Sequence, residues 1–368
     1  MKFVHIADMH FDSPFVNLSN KEYMGELRRL EQRKVFKKMI DYIKDNNIEY
    51  LFISGDLYEH KYIKQSTIEY INKLFQEIPD TKIYIAPGNH DPFLKNSYYS
   101  KFNWSNNVKI FSNNIEKIEN ENVNIYGYGF TDFYCENSGI ENIEIDDKEK
   151  LNILVIHGAL DSSNIEDRQY NPMKKNMLKA KGFDYVALGH IHKLDYNTEE
   201  NQNIVYPGST VSLGFDELGK HGMIVGEFNE KELNLNFVPL DEKEYRVIQL
   251  DITNINSKEE LIEKIENVDI KENEYIEIVL NGNRNFEINV YELLKLVLND
   301  RVIKIKDKTK IGYDLDKLSN ETTLRGLFIK EMKEKLKNEN INEEEKEIIE
   351  KAIEIGLYVL EWNCLLLD

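Results

Sequence analysis

The chain has 368 residues, more than one hydrophobic core usually organises, so a large domain and a smaller one are expected. Hydrophobic residues at 41% and aromatics at 11% can build a packed interior and exclude global disorder. A formal net charge of −19 has the wrong sign for gripping nucleic acid by phosphate contacts alone: either the substrate is not a polyanion, or metals and local basic patches overcome the field, or a partner supplies the DNA-binding surface.

Cys135 and Cys364 are the two cysteines, far apart and without a CxxC neighbour, which argues against a disulfide framework and for a reducing compartment. No stretch reaches the length of a membrane span. Met1 leads at once into a strand-like run and not into a basic-then-apolar leader, so a cytoplasmic location is expected.

Residues 2–7 alternate and read as a strand ending in Asp8-Met9-His10. Residues two apart in extended chain point the same way, so Asp8 and His10 can reach one ion. A helix follows over 27–46, with Leu27, Leu30, Phe36, Met39, Ile40 and Ile43 as its apolar stripe and its Arg and Lys residues on a solvated face. The apolar run 50–54 reads as a buried strand and ends in Gly55-Asp56, where glycine permits a sharp turn. A helix over 67–78 leads to a strand over 82–85, which opens into Ala86-Pro87-Gly88-Asn89-His90-Asp91.

Strands are expected at 108–111 and 123–127, a turn at Gly127-Tyr128-Gly129, and a surface loop over 136–150. The buried runs 151–156 and 185–188 end in His157-Gly158 and Gly189-His190-Ile191-His192. A run at 204–206 enters Pro207-Gly208-Ser209-Thr210, and a hairpin over 223–228 and 233–238 closes this part.

Beyond about residue 240 the pattern changes to a small α+β unit: strands at 245–250 and 275–280, helices at 258–267 and 290–298. In 301–310, Lys304, Lys306, Lys308 and Lys310 share one strand face, read as a solvated face in preference to a DNA contact. Two amphipathic helices, 324–337 and 343–362, end the chain and either pack on their own domain or dock on a partner. The expected domains are 1–240, 241–320 and 321–368.

Five of the eight histidines stand at the strand ends, with Asp8, Asp56 and Asn89 beside them. Carboxyl ends of sheet strands converge on one edge, so these residues can meet. Oxygen and imidazole donors without thiolate suit two first-row divalent ions: manganese, iron or zinc. Asp56 is the natural bridging carboxylate. Two carboxylates cancel only part of the ions' charge, so the site stays cationic, attracts phosphate and can lower the pKa of a shared water to give a nucleophile for phosphoester hydrolysis. His90, next to Asn89 in sequence, cannot easily face the same ion and is the candidate proton donor to the leaving oxygen.

Asp8-x-His10, Gly55-Asp56, Gly88-Asn89-His90-Asp91, His157 and Gly189-His190-x-His192 together resemble, in order and spacing, the blocks of the calcineurin-like metallophosphoesterase superfamily over roughly residues 1–240. The resemblance implies a four-layer αββα sandwich. It also implies one metal on Asp8, His10, Asp56 and His192, and another on Asp56, Asn89, His157 and His190. A narrower resemblance, to SbcD- and YhaO-type DNA-repair exonuclease subunits, is carried by the run 3–12, by Tyr206-Pro207-Gly208-Ser209 and by the block 213–222. It implies a manganese-dependent DNA nuclease with a capping domain over the DNA cleft and a helical tail that binds a coiled-coil ATPase of the SMC type; a homodimer is the other source of a cationic track.

Three residues after the bridging aspartate this chain has Glu59, where the resemblance implies a histidine in nuclease relatives from archaea and eukaryotes and an acid in phosphatase relatives. A Glu59–His90 dyad is expected, with His60 or Asp91 as alternatives to Glu59. The chain has no phosphate-binding Gly-x-x-x-x-Gly-Lys-Ser/Thr loop. Two other readings remain open. One is a small-molecule or protein phosphoesterase using the same site, which the charge favours and the C-terminal third disfavours. The other is a scaffold without activity, which the intact ligand set disfavours.

Overall fold

Runs of β-branched and aromatic residues set the strands, and each short strand hands its last polar residues to a loop at the same sheet edge. The computed structural model describes residues 1–15, 23–161, 169–196, 202–312, 315–337 and 341–364. In chain order the elements are β1 (Lys2–Ile6), α1 (Met24–Asp45), β2 (Tyr50–Ile53), α2 (Gln65–Gln76), β3 (Lys82–Ile85), α3 (Tyr98–Lys101), β4 (Val108–Ile110), β5 (Glu116–Glu119) and β6 (Val123–Tyr128). Then come β7 (Leu151–His157), α4 (Lys175–Lys181), β8 (Tyr185–Gly189), β9 (Ile204–Val205), β10 (Gly222–Asn229), β11 (Glu232–Pro239) and β12 (Glu244–Asp251). The remainder is α5 (Lys258–Glu266), β13 (Glu274–Asn281), β14 (Asn283–Arg284), α6 (Val290–Leu296), β15 (Val302–Asp307), β16 (Lys310–Ile311), α7 (Leu315–Leu318), α8 (Leu324–Leu336) and α9 (Glu343–Cys364). Two compact units result, Met1–Arg246 with Lys271–Tyr275, and Val247–Ile270 with Ile276–Asp368.

In the first unit one sheet runs β11-β10-β1-β2-β3-β4 and the other β5-β6-β7-β8-β9. Strands β1 to β4 are parallel, as are β6 to β9, so their carboxyl ends share an edge in each sheet. Phe3, Phe52 and Tyr84 from the first sheet meet Ile125, Val155 and Tyr185 from the second in the core between them. Phe36, Ile40, Ile71 and Phe75 of α1 and α2 cover the outer face of the first sheet. Leu178 of α4, Phe183 and Ile140 cover that of the second. Helix, sheet, sheet and helix thus form the αββα sandwich.

Three details depart from the expectations. Gly127 and Tyr128 belong to β6, paired with Val155 and Ile156, and do not form a turn. The 136–150 segment is not wholly superficial, because Ile140 and Ile143 are buried. On α1 the inward residues of the first turns include Arg28 and Gln32 as well as Met24, whereas Leu30 is exposed. The reason is polar: Arg28 donates to Glu31, Asp241 (2.8 Å) and the Ser212 carbonyl (2.9 Å), and the Gln32 amide donates to the Met9 and His10 carbonyls (2.9 and 3.1 Å). A buried guanidinium so paired holds its place in a core that hydrophobicity alone would give to leucine.

The second unit has a three-stranded sheet, β12-β13-β15, with a core built on Ile252, Leu261, Ile276, Ile278 and Leu293. Lys304 and Lys306 both bind the buried Glu277 carboxylate (3.1 and 2.8 Å). The strand that carries them ends at Asp307, so Lys310 begins a separate strand, β16, and the four lysines do not form one face. Leu318, Ile329, Ile353 and Leu357 pack α7, α8 and α9 together.

Candidate metal centre

The site residues come from the loops that follow β1, β2, β3, β7 and β8. Several hold backbone angles that most side chains avoid: φ is 50° at Asp8, 49° at His10, 52° at Asp56 and 106° at His190. Such strain persists only where surroundings over-determine it. At Asp56 the determinant is Asp91. Its fully buried carboxylate accepts hydrogen bonds from the N–H groups of Asp56 (3.0 Å), Leu57 (2.7 Å) and Gly88 (2.7 Å) and from the Tyr99 hydroxyl (2.6 Å). Gly88 is required because a Cβ there would stand 2.3 Å from Asp56 Oδ1. Gly55 combines φ 88° with a Cβ position 2.3 Å from His157 Nδ1.

The histidine rings are oriented by their second nitrogens. His157 Nδ1 lies 2.8 Å from the Ser54 carbonyl, His10 Nδ1 2.8 Å from Glu59 Oε1, and His192 Nδ1 2.5 Å from Glu217 Oε1. Each partner accepts, so each Nδ1 carries the proton and, in the neutral ring, each Nε2 carries a lone pair. These Nε2 atoms converge. His10 Nε2 faces His192 Nε2 at 3.2 Å, and His157 Nε2 faces Asn89 Oδ1 at 3.1 Å and Asp56 Oδ2 at 3.4 Å. Asp56 Oδ2 is also 3.7 Å from His10 Nε2, and Asp8 Oδ1 is 3.8 Å from His192 Nε2. Imidazole nitrogens and carboxylate oxygens gathered this closely form a donor set that fits divalent metals. Asp8, His10 and His192 converge as one donor group, and Asp8, Asp56 and His157 as a second.

The protonation pattern has the same origin. Burial, reinforced by Asp56 and opposed by His192, pushes the Asp8 carboxyl up to about 8. Burial also acts on Asp56, but the charges of His157, His10 and His90 outweigh it and hold this carboxyl below the ordinary carboxylate range. Burial pushes His157 down. His192 rises to about 9 because Glu217 and Asp8 overcome its burial.

Glu59 sits between two histidines, with Oε1 on His10 and Oε2 3.1 Å from His90 Nδ1. Burial opposes its charge, yet the hydrogen bonds from both rings hold the carboxyl down to about 2. His90 is pulled up to about 9 against its burial by Glu59, Asp56 and Asp91. Its side chain is 46% exposed, whereas His10 is buried. His190 contributes its backbone N–H to both Asp8 oxygens (3.1 Å each), and its ring packs on His157 and Tyr170. It falls outside the tight groups of ionisable donors. His60, one of the two alternatives to Glu59, instead packs its ring against Phe133, and Asp91, the other, is committed to the backbone beneath Asp56.

Glu217, not among the expected site residues, orients His192 and also accepts from the Ser209 hydroxyl (2.6 Å) and the Leu213 N–H (3.1 Å). It lies in the block 213–222, whose resemblance gives it no role, with no strand end beside it and 25 positions from its partner. Ser54, acting through its carbonyl, carries no side-chain signal at all.

A family model described as calcineurin-like phosphoesterase matches residues 1–194. The chain is similar to the uncharacterized metallophosphoesterase YhaO of Bacillus subtilis, 24% identical over 72% of this chain and 67% of that one. It is similar to the D component of the nuclease SbcCD of Staphylococcus saprophyticus, 26% identical over 74% of this chain and 76% of that one. A DNA double-strand break repair protein Mre11, from Methanopyrus kandleri, is 23% identical over 62% of this chain and 54% of that one. Among the described residues no helix is long and apolar enough to cross a membrane.

Proposed function

Because the chain belongs to the calcineurin-like phosphoesterase family, we propose that it is a metal-dependent DNA nuclease, an exonuclease in type, that hydrolyses phosphodiesters in DNA repair beside a coiled-coil ATPase partner. The observation that carries the chemistry is the convergence of Nε2 atoms and carboxylate oxygens, with the Nδ1 atoms of His10, His157 and His192 each held by an acceptor. One cation is assigned to Asp8, His10, Asp56 and His192, and a second to Asp56, Asn89, His157 and His190, with manganese the favoured ion. Bound there, two divalent cations supply Lewis acidity toward the phosphodiester and make water nucleophilic near neutral pH.

The protein's own groups do the rest. Glu59 holds His90 by its Nδ1 and the His90 side chain is half-exposed, so His90 can give a proton to the oxygen that leaves phosphorus as the P–O bond breaks. Asn89 is a neutral donor and leaves the site's positive charge undiminished, which favours a polyanionic substrate there despite the acidic chain. The nuclease names among the relatives at 23–26% identity support DNA as substrate.

The net charge of −19 supports a second reading, a phosphoesterase of small molecules or phosphoproteins. Linear duplex DNA and a chromogenic phosphomonoester, each with manganese and with chelator, separate the two. The nuclease reading expects manganese-dependent DNA degradation, abolished in His90→Asn with both metals still bound. Turnover of the phosphomonoester with intact DNA would overturn it.

A further inference from the structure

Two consecutive aromatic residues on the loop after β6, Phe133 and Tyr134, are 42% and 58% exposed. Their loop is fastened to the metal centre. Cys135 bridges to Tyr170 in parallel fashion, its N–H donating to the Gln169 carbonyl (2.8 Å) and its carbonyl accepting from the Asn171 N–H (2.5 Å). The Tyr170 carbonyl accepts from the Ala159 N–H (2.9 Å), and the Asn171 amide donates to the His157 carbonyl (2.9 Å). The strand that delivers His157 therefore sets the position of Tyr134.

The outcome is a file of rings leading from solvent to the donor set. Tyr134 stacks on Tyr170 with centroids 6.0 Å apart and planes inclined by 29°. Tyr170 lies 5.1 Å from the His190 ring, which lies 5.3 Å from His157. Phe133 turns the other way, its ring 5.9 Å from that of His60 and inclined by 70°, and the His60 N–H donates to the His90 carbonyl (2.9 Å). A large flat ring so exposed yet fixed is costly in water and useful against another π-face.

We propose that Tyr134, backed by Tyr170, is the stacking platform for a nucleobase adjoining the phosphate held at the metal centre. The proposal rests on the nuclease reading and names how that site holds its substrate. Stacking suits this chain physically. It needs no counterion release, so a protein of net charge −19 can hold single-stranded DNA through it where phosphate contacts are scarce. It is also indifferent to sequence, because every base has a π-face.

The test uses the full chain with manganese and a short single-stranded phosphorothioate oligonucleotide, which resists hydrolysis, carrying 2-aminopurine at one end or the other. Stacking quenches 2-aminopurine. The native chain and Tyr134→Phe are expected to quench it at one end. Tyr134→Ala and Tyr134→Leu are expected to lose the quench and bind about tenfold more weakly, with an unchanged salt slope and unchanged circular dichroism. No quench at either end in the native chain, or quench and affinity retained in Tyr134→Ala, overturns the platform whether or not the protein degrades DNA. Loss of quench in Tyr134→Ala in a protein that cuts no DNA supports the platform and removes the nuclease reading instead.

Discussion

Replacing Glu59 with glutamine tests the orientation argument where it is most demanding. Both carboxylate oxygens accept, one from His10 Nδ1 at 2.8 Å and one from His90 Nδ1 at 3.1 Å. An amide has one accepting oxygen and one donating NH₂. Whichever way it turns, one ring meets a donor with a donor and must move its proton to Nε2. If that ring is His10, the lone pair assigned to a cation is gone; if it is His90, the proton moves without a carboxylate to hold the ring. Groups that orient metal-bound histidines typically change metal affinity about 10- to 100-fold when removed, which sets the expected loss for Glu59→Gln. Glu59→Ala removes both contacts without forcing either tautomer, so its metal loss is smaller than that of the isosteric amide. Calorimetric titration with manganese reads this without reference to any substrate. If Glu59→Gln binds manganese within about twofold of the native chain and keeps its pH–rate profile, the reasoning is refuted.

Two further outcomes follow from buried groups. Asp91→Asn leaves one of the backbone N–H groups at Asp56, Leu57 and Gly88 facing an amide donor, so urea denaturation of the full chain is expected to show a loss of about 2–4 kcal/mol; a change below about 1 kcal/mol contradicts the role given to Asp91. His5 is fully buried between Tyr185 Oη (2.8 Å) and Ser54 Oγ (3.1 Å), and burial, against a hydrogen bond with the Leu188 backbone, pushes it down to about 3. The unfolded chain takes up a proton here below about pH 6.5 and the folded chain does not until about pH 3, so stability falls as pH drops through that window by about 1.4 kcal/mol per unit. By pH 5 that amounts to about 2 kcal/mol relative to pH 7, and stability measured in urea for His5→Gln should show a correspondingly smaller acid loss. Equal losses in both proteins would remove His5 from the account.

The strand ends were readable because an apolar run followed by Gly, Asp or His is a local pattern, and the parallel strands of the two sheets bring such ends together whatever lies between them. Helices α1 and α2 were readable from their stripes, whereas the short α4 that covers the second sheet was not, and on α1 the inward Arg28 and Gln32 look solvated in sequence, since their partners Asp241, Ser212 and Met9 are remote in the chain. The same remoteness hid Glu217 behind His192. Gly127-Tyr128-Gly129 misled because glycine signals a turn, whereas here the missing Cβ makes room for the Phe111 ring against β6. The lysines of 301–310 misled because strand periodicity cannot show where a strand stops or that Glu277 lies buried beneath two of them.

Anomalous diffraction at the manganese edge from crystals grown with that metal tests the central claim most directly. Two peaks about 3.5–4 Å apart on either side of Asp56 are expected, one touching Asp8, His10 and His192, the other Asn89, His157 and His190, with neither on His90. A single peak, a peak held by His90 and Glu59, or none at all would contradict it.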